Sequence, residues 1–230
     1  MERCTPIFIV ASARPRVGKT LLARLLVDFF HTNKRASAAF DINPDSFALV
    51  AQQPTTTTIG TITDTRGQVA LIDKLILTDQ VPKIVDLAHG LFHKFFQVLH
   101  DISFAEEARR RSIIPVILFL ADTDLRSRQG YNMLRDCFPG FVLVPVFNHA
   151  LSAIVRHRES FPASAALTFT ALSPVLKGVI DRPNFSFAAL AGSSADKSSE
   201  LYLWTKRLFL EFRELELRLL LEELKLRLQT

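Results

Sequence analysis

Six short apolar runs, separated by segments of helical character, constrain the fold of this 230-residue chain more than any other feature. Uninterrupted runs rich in β-branched residues are typical of strands buried on both faces, and helical crossovers between them make such strands parallel. The pattern therefore predicts a doubly wound, mostly parallel α/β sheet. The runs are "PIFIVA" (6–11), "ASAAFDI" (36–42), "VPKIVDLA" (81–88), "IIPVILFLA" (113–121), "FVLVPVFN" (141–148) and "LTFTAL" (167–172).

Helical segments are predicted between these runs and after them. The stretch "TTTTIGTIT" (55–63) is compatible with an edge strand or with a mobile loop. After Gly192 the composition shifts to Leu, Glu, Arg and Lys, which favours a long helix. We therefore expect an α/β domain over 1–192 and a C-terminal amphipathic helix over 193–230. The other predicted helices are Lys19 to Asn33, Val69 to Leu77, Leu91 to Arg111, Leu125 to Phe138 and Ala150 to Glu159.

Composition excludes several classes of protein. Hydrophobic residues make up 48% of the chain and charged residues 22%, which favours a substantial core over disorder. Cys4 and Cys137 have no metal-binding or redox spacing and suit a reducing cytoplasm. One long charge-free stretch, Ser160 to Leu176, is interrupted by Pro162 and Pro174, so we predict no membrane span. A net charge of +5 permits weak attraction to nucleic acid or anionic lipid without requiring either.

A phosphate-binding motif follows the first predicted strand. The string Ala13-x4-Gly18-Lys19-Thr20 differs from the P-loop pattern only in having alanine for the first glycine. Backbone N–H groups at such a strand-to-helix turn attract phosphate oxygens, a lysine neutralises the outer phosphates and a threonine ligates Mg²⁺. The alternative is a structural turn with an incidental Gly-Lys-Thr. An amphipathic helix after the turn favours the phosphate site.

Two aspartates stand at the ends of predicted strands, where ligands of such sheets bind. Asp86 ends "PKIVD", the place of a magnesium-holding acid, and Asp41 ends "ASAAFD". Each alone is equally compatible with a helix cap. Beside the phosphate motif, they are predicted neighbours of a metal ion.

In their order, "ASARPRVGKT", "FDINPDS", "IVDLAHG" and "VFNHA" resemble the ParA/MinD group of P-loop ATPases over roughly residues 6 to 150. The resemblance implies ATP and Mg²⁺ as cofactors, a nucleotide-dependent homodimer, and slow or partner-stimulated hydrolysis. It implies that Thr20 and Asp86 bind the metal, and that Lys19, Asp41 and Asn43 serve catalysis. The implied nucleotide-binding residues are Ala13, Arg14, Arg16, Val17, Gly18, Lys19, Thr20 and, against adenine, Asn148.

The chain also departs from this family. Arg14 stands where the family has a lysine that reaches the partner subunit's nucleotide, and guanidinium geometry differs from that of an ammonium. Pro15 removes a backbone donor, and Arg16 adds a side chain to the loop. Asn43 replaces a water-orienting aspartate. An amide does not accept a proton as a carboxylate does, so hydrolysis by the family mechanism is in question.

Basic clusters on the predicted helices have two interpretations. ParA-like proteins hold DNA through surface basic residues, and such binding depends strongly on salt. Solvated helix faces and ends are the other interpretation, and we favour it. His89, in the stretch matching the family's second switch, is predicted to form local hydrogen bonds. The clusters are Arg109 to Arg111, Arg126 with Arg128, and Arg156 to Arg158.

The C-terminal helix carries two apolar stripes on opposite sides, so it needs two surfaces to cover it. One surface is expected to be this protein's own core, and the other a second copy or another protein. Burial wholly within the monomer is the alternative. One stripe is Leu201, Trp204, Leu208, Phe212, Leu215 and Leu219, and the other is Leu203, Leu210, Leu217, Leu221, Leu224 and Leu228. Glu214 with Arg218 and Glu223 with Arg227 are spaced to support the helix. Equal acidic and basic counts from Asp196 to Thr230 do not favour attraction to lipid.

Three function classes follow from these features. The first is a positioning ATPase of the ParA/MinD type. The second is a non-hydrolysing interaction protein, favoured by Asn43 and by the two-sided helix. The third is a small-molecule ligase or kinase of the same fold, similar to dethiobiotin synthetase, for which Ser160 to Leu176 supplies no catalytic acid.

Overall fold

The predicted parallel sheet is confirmed. A computed structural model describes residues 4–151, 158–182, 185–192 and 196–228, with side chains as far as 225. Seven described strands form one parallel sheet in the order β3-β2-β4-β1-β5-β6-β7. The strands are β1 (Thr5–Ala11), β2 (Ala38–Ile42), β3 (Thr57–Ile59), β4 (Lys83–Leu87), β5 (Ile113–Ala121), β6 (Val142–Asn148) and β7 (Leu167–Phe169).

Helices cover both faces of this sheet. They are α1 (Lys19–Thr32), α2 (Ala48–Gln52), α3 (Thr65–Leu75), α4 (Phe92–Asp101), α5 (Phe104–Arg110), α6 (Leu125–Cys137), α7 (Pro174–Ile180), α8 (Phe187–Gly192) and α9 (Glu200–Leu228). Along β1, Phe8 and Val10 face the core beneath α1 and α9, whereas Ile7 and Ile9 face the core beneath α4 and α6. Successive strand side chains point to opposite faces, so continuous apolar runs are what a sheet covered on both sides requires.

Two predicted elements differ in detail, and a third takes one of its two predicted forms. The segment predicted as one helix over Leu91 to Arg111 is two helices, because Ser103 adopts a left-handed φ of 50° between them. The helix predicted from Val69 begins at Thr65, where the Asp64 side chain caps it by accepting from the Gly67 N–H at 2.8 Å. "TTTTIGTIT" contributes the edge strand β3.

Part of one predicted helix lies outside the described residues. Of the segment predicted over Ala150 to Glu159, residues 152–157 are not described, and 158–160 form a single 3₁₀ turn. No helix in the described ranges combines the length and the apolar character that crossing a membrane requires.

Two buried charged side chains of α1, Arg24 and Asp28, anchor the helix to backbone groups of α7, of α8 and of the residue Phe185. Arg24 donates to the carbonyls of Ile180 at 3.0 Å and Phe185 at 3.3 Å, and the Asp28 carboxylate accepts the Phe187 N–H at 2.7 Å. Burial lowers the pKa of Arg24 and raises the pKa of Asp28. These contacts fix the helix that begins at the phosphate motif.

The predicted two-sided character of the C-terminal helix is confirmed for the described side chains. All six members of the inner stripe, Leu201 to Leu219, are buried, and the Trp204 indole N–H donates to the Thr170 carbonyl at 2.8 Å. The outer stripe is at least 44% exposed at every described position. The helix therefore packs on the core beside α1 and leaves a row of leucines facing solvent.

Candidate functional site

The predicted site residues converge at the carboxyl edge of the sheet. The strand β1 lies between β4 and β5, so the strand order reverses direction there. Ligands of open parallel sheets bind at such a switch point. The loop 12–18 leaves β1 at this position and leads directly into α1.

The loop has the backbone conformation of an anion site. Arg16 and Gly18 both adopt left-handed conformations, with φ of 57° and 103°. A short loop of this kind turns successive N–H groups into a concave arrangement that binds anions. Among the described residues, no side chain caps the first turn of α1, which leaves its N–H groups for a ligand. Glycine is required at position 18, because a Cβ there would meet the Asn148 amide nitrogen at 3.0 Å in a strained conformation.

Lys19 and Thr20 each donate a hydrogen bond, one within the loop and the other to the strand β4. Lys19 is 8% exposed, and its ammonium donates to the Arg14 carbonyl at 2.9 Å, across the mouth of the loop. Burial lowers the pKa of Lys19, and the Asp86 carboxylate acts in the opposite direction. Thr20 Oγ1 donates to Asp86 Oδ2 at 2.7 Å. The hydroxyl and carboxylate predicted to share a metal are therefore in direct contact.

Two buried carboxylates lie side by side behind Thr20. Asp41 and Asp86 are partners across the β2–β4 ladder, and both are at most 1% exposed. Asp41 Oδ2 caps α2 by accepting the N–H groups of Leu49 at 2.9 Å and Val50 at 3.2 Å. The second oxygen of each carboxylate, Asp41 Oδ1 and Asp86 Oδ1, is buried and has no hydrogen-bond partner within the described residues.

Burial raises the pKa of both carboxyl groups. For Asp86 the neighbouring Asp41 charge adds to this effect, against the Thr20 hydrogen bond and the Lys19 charge, and its pKa rises to about 6. The backbone N–H groups of Val50 and Leu49 in α2, and that of Asn43, counteract the rise in the pKa of Asp41. A pair of buried acids with unused oxygens is the donor set that a hard divalent cation prefers. The residues present therefore fit the Mg²⁺ that the sequence motif implies.

Arg14 forms ion pairs within its own chain. Its Nε lies 2.7 Å from Asp124 Oδ2 and 3.6 Å from Asp122 Oδ2, both in the loop after β5. Asp124 also caps α6 by accepting the Ser127 N–H at 2.7 Å. Arg14, at the position where the ParA/MinD resemblance implies a cross-subunit lysine, is thus paired within its own chain.

Asn148 also supports the loop. Its side-chain amide donates to the Val17 carbonyl at 3.0 Å, and its side-chain oxygen accepts the Ala150 N–H at 3.0 Å. Both polar ends of the side chain are therefore engaged in this structure. Contact with adenine stays a prediction and would require Asn148 to exchange one of these partners.

The segment predicted as a first switch, Asp41 to Pro44, leads into a tight turn. The Asn43 carbonyl accepts the N–H groups of Ser46 at 3.3 Å and Phe47 at 3.1 Å, and Phe47 has a left-handed φ of 41°. Asn43 is half-buried, whereas Pro44 to Phe47 are exposed. His89 opens a short 3₁₀ turn after β4 and is exposed. Asn43 and His89, which lie in the two segments predicted as switches, are therefore at the rim of the site.

Three polar residues of this edge were missed by the sequence analysis. Ser12 is fully buried, donates to the Leu120 carbonyl at 2.8 Å and accepts the Arg14 N–H at 3.2 Å. Asp122 and Asp124 follow the strand β5 in "ADTD". Polar residues at the end of a predicted parallel strand were the available signal, and this signal was used for β2 and β4 but not for β5.

The basic clusters lie away from the loop in sequence and are exposed where described. Arg110 and Arg111 both pair with Glu107 on α5. Arg126 and Arg128 are exposed on α6. Arg156 and His157 lie outside the described residues.

Two cavities, of about 390 Å³ and 330 Å³, occupy the opposite, amino-terminal edge of the sheet under the last turns of α9. Both are lined by Cys4, Ile114 and Leu219, and Arg35 and Arg213 line the larger one. None of the sequence-predicted site residues lines either cavity. These two cavities are therefore separate from the candidate site at the carboxyl edge of the sheet.

Comparison with known proteins adds no identity. No protein-family model matches the chain, and no curated protein matches it in sequence. The sequence motifs, the fold and the local geometry are therefore the basis for a proposed function.

Proposed function

We propose that this protein binds a nucleoside triphosphate, ATP by its resemblance to the ParA/MinD group, together with Mg²⁺ at the loop 13–20. The observation that carries the proposal is the 2.7 Å contact between Thr20 and Asp86, beside two buried carboxylate oxygens without partners. An incidental Gly-Lys-Thr turn gives no reason for an acid as deeply buried as Asp86 at this position, and burying its charge costs free energy unless a cation compensates.

Each residue has a role in this proposal. Lys19 would leave the Arg14 carbonyl and bind the outer phosphates, while N–H groups around Gly18 hold the remaining phosphate oxygens. Thr20 and Asp86 would hold Mg²⁺, which neutralises phosphate charge when bound. Asp41 supports the cation from the next strand and fixes the start of α2.

Binding is tested by titrating ATP with Mg²⁺ into wild type and Lys19→Ala. We expect about a 100-fold loss of affinity, because the charge-assisted contact to phosphate disappears. Lys74→Ala, at an exposed position on α3, is the matched control and should bind as wild type does. Equal affinity in Lys19→Ala and wild type would remove the basis of the proposal.

Slow or partner-stimulated hydrolysis with a nucleotide-dependent change of association is the activity that the family resemblance favours. Asn43 is the critical position, and Asn43→Asp should raise turnover about tenfold or more by restoring a carboxylate near the attacking water. Turnover is measured as phosphate release at saturating ATP. An unchanged rate would mean that another residue orients the water.

A non-hydrolysing interaction protein is the second candidate. Two observations favour it: the amide at Asn43 and the exposed leucines of α9. ATP binding without phosphate release, in wild type and in Asn43→Asp, would select this candidate. Phosphate release that increases with a protein or DNA partner would select the ATPase.

A further inference from the structure

The outer stripe of α9 is a row of leucines that no other described part of the chain covers. Its described members are Leu203, Leu210, Leu217, Leu221 and Leu224, with exposed fractions of 56%, 63%, 52%, 57% and 44%. Four of them recur every seven residues, so they form one row along the helix that drifts only about 20° per repeat. Over 21 residues the row is about 32 Å long. A row of exposed leucines of this length is typical of an interaction surface.

Charges beside the row distinguish the two ends of the helix. Lys206, Arg207 and Arg213 are exposed in the amino-terminal half, against one exposed acid there, Glu200. Glu214 and Glu222 are exposed in the carboxyl-terminal half, where Arg218 and Lys225 are also exposed. The excess of positive charge therefore lies in the first half. Two acidic residues of the helix are used by the core: Glu211 accepts the Thr168 N–H at 2.8 Å, and Glu216 pairs with Arg35 at 2.6 Å.

A single antiparallel register satisfies both the leucines and the charges. If a second copy lies antiparallel, Leu203 opposes the partner's Leu224 in the same register in which Leu210 opposes the partner's Leu217. That register also places Arg213 beside the partner's Glu214, twice, at the two-fold axis. A two-fold interface is self-complementary by symmetry, and this row meets that condition.

The parallel arrangement fits the same leucines but not the charges. Leu210 would oppose the partner's Leu210, and the basic first halves of the two helices would lie together. Like charges in such positions disfavour an arrangement and commonly decide helix orientation. Antiparallel pairing instead places Lys206 over the partner's Leu221, where its aliphatic stem can pack.

We propose that this protein forms an antiparallel two-fold dimer through the outer face of α9. The inner face of the helix belongs to the core beside α1 and does not need to rearrange. The dimer does not involve the loop 13–20 or the carboxylates at the edge of the sheet. It therefore forms without nucleotide, and its existence is independent of the function proposed above.

Sedimentation of the full-length protein over a range of concentrations tests the dimer. We expect wild type to dimerise without nucleotide, and Leu210→Glu to weaken dimerisation about 100-fold or more, because a carboxylate would be buried at the centre of the row. Leu77→Glu is the control: Leu77 is 52% exposed outside the row, and the variant should dimerise as wild type does. A monomeric wild type would overturn the proposal.

Charge exchange tests the register without changing the leucines. Glu214→Arg places a second guanidinium beside Arg213 and should weaken the dimer about tenfold. Adding Arg213→Glu in the same chain restores opposite charges at the axis, and dimerisation should recover. Arg213 also donates to Asn33, and the double variant loses that contact. Recovery of dimerisation despite this loss would show that the restored charge pair at the axis is the cause. No recovery would overturn the register.

Cross-linking distinguishes the two orientations. In a Cys4→Ser, Cys137→Ser background, Leu210→Cys protein mixed with Leu217→Cys protein should cross-link across the pair, and each alone should cross-link poorly. Efficient cross-linking of Leu210→Cys protein with itself would indicate parallel helices and contradict the proposal. A protein that stays monomeric but sediments with anionic lipid vesicles in a Leu210-dependent manner would show that the row binds membranes instead.

Discussion

The carboxyl edge of the sheet and the outer face of α9 break the usual division between polar surface and apolar interior in opposite directions. At the edge, Asp41 and Asp86 are charged groups in the interior with unused oxygens. On α9, leucines such as Leu210 are apolar groups in solvent. Both arrangements cost free energy in the isolated chain. In the proposals made above, each region serves a component outside the monomer: a cation with phosphate in one case, an apolar surface in the other.

The two faces of α9 give the largest expected contrast. Leu208→Ala should destabilise the protein by about 3 kcal/mol, because a 2%-exposed side chain leaves a cavity in the core. Leu210→Ala, two residues away and 63% exposed, should change the monomer's stability by less than about 0.5 kcal/mol. Urea unfolding of both variants at a concentration where the protein is monomeric makes the comparison. Similar losses for both would mean that the outer row is buried.

The contrast at the carboxylates depends on pH. The pKa of Asp86 is about 6 in the folded protein against an ordinary value of 3.8, so the folded state holds this proton more tightly than the unfolded state. The penalty is absent below about pH 4, grows as the pH rises toward 6 and is complete above it. Without metal, Asp86→Asn should therefore stabilise the protein by up to about 3 kcal/mol at pH 7.5 and by much less at pH 4.5.

Denaturant unfolding in EDTA at both pH values measures this effect. Asp73→Asn, at an exposed position, is the control and should show no such gain. A loss of stability in Asp86→Asn at pH 7.5 would contradict the view that this carboxylate is held ready for a ligand.

Much of this fold could be predicted from the sequence because a sheet covered on both faces leaves continuous apolar runs. "IIPVILFLA" matches β5 (Ile113–Ala121) over its full length. Helix ends are set by single backbone positions, and the break at Ser103 depends on a left-handed φ that no periodicity indicates. The inner and outer stripes of α9 were predictable because they follow from helical spacing alone.

The site could be predicted in part. The motif indicated that Lys19, Thr20 and Asp86 meet, and strand ends brought in Asp41. The partners of Arg14 could not be found in the same way, because pairing with Asp124 depends on where two loops meet in space. Long-range contacts of that kind leave no local pattern in one sequence.

The smallest effect concerns the contact that ties the loop to α6. Asp124→Ala removes both the Arg14 pair and the helix cap, and should cost about 1 to 2 kcal/mol. Asp124→Ser keeps a capping oxygen and loses only the partly exposed ion pair, so it should cost about 0.5 kcal/mol. Thermal unfolding of the two variants separates the contributions. Equal losses would assign the whole effect to the ion pair.

The central claim is that the buried carboxylates at the edge of the sheet serve a metal ion bound with nucleotide. The most direct measurement is ATP affinity with Mg²⁺ and with EDTA, in wild type and in Asp86→Asn, at pH 7.5. We predict that Mg²⁺ tightens binding at least tenfold in wild type and has little effect in Asp86→Asn, whose higher stability excludes unfolding as the cause. ATP affinity that is the same with and without Mg²⁺ in wild type would contradict the claim.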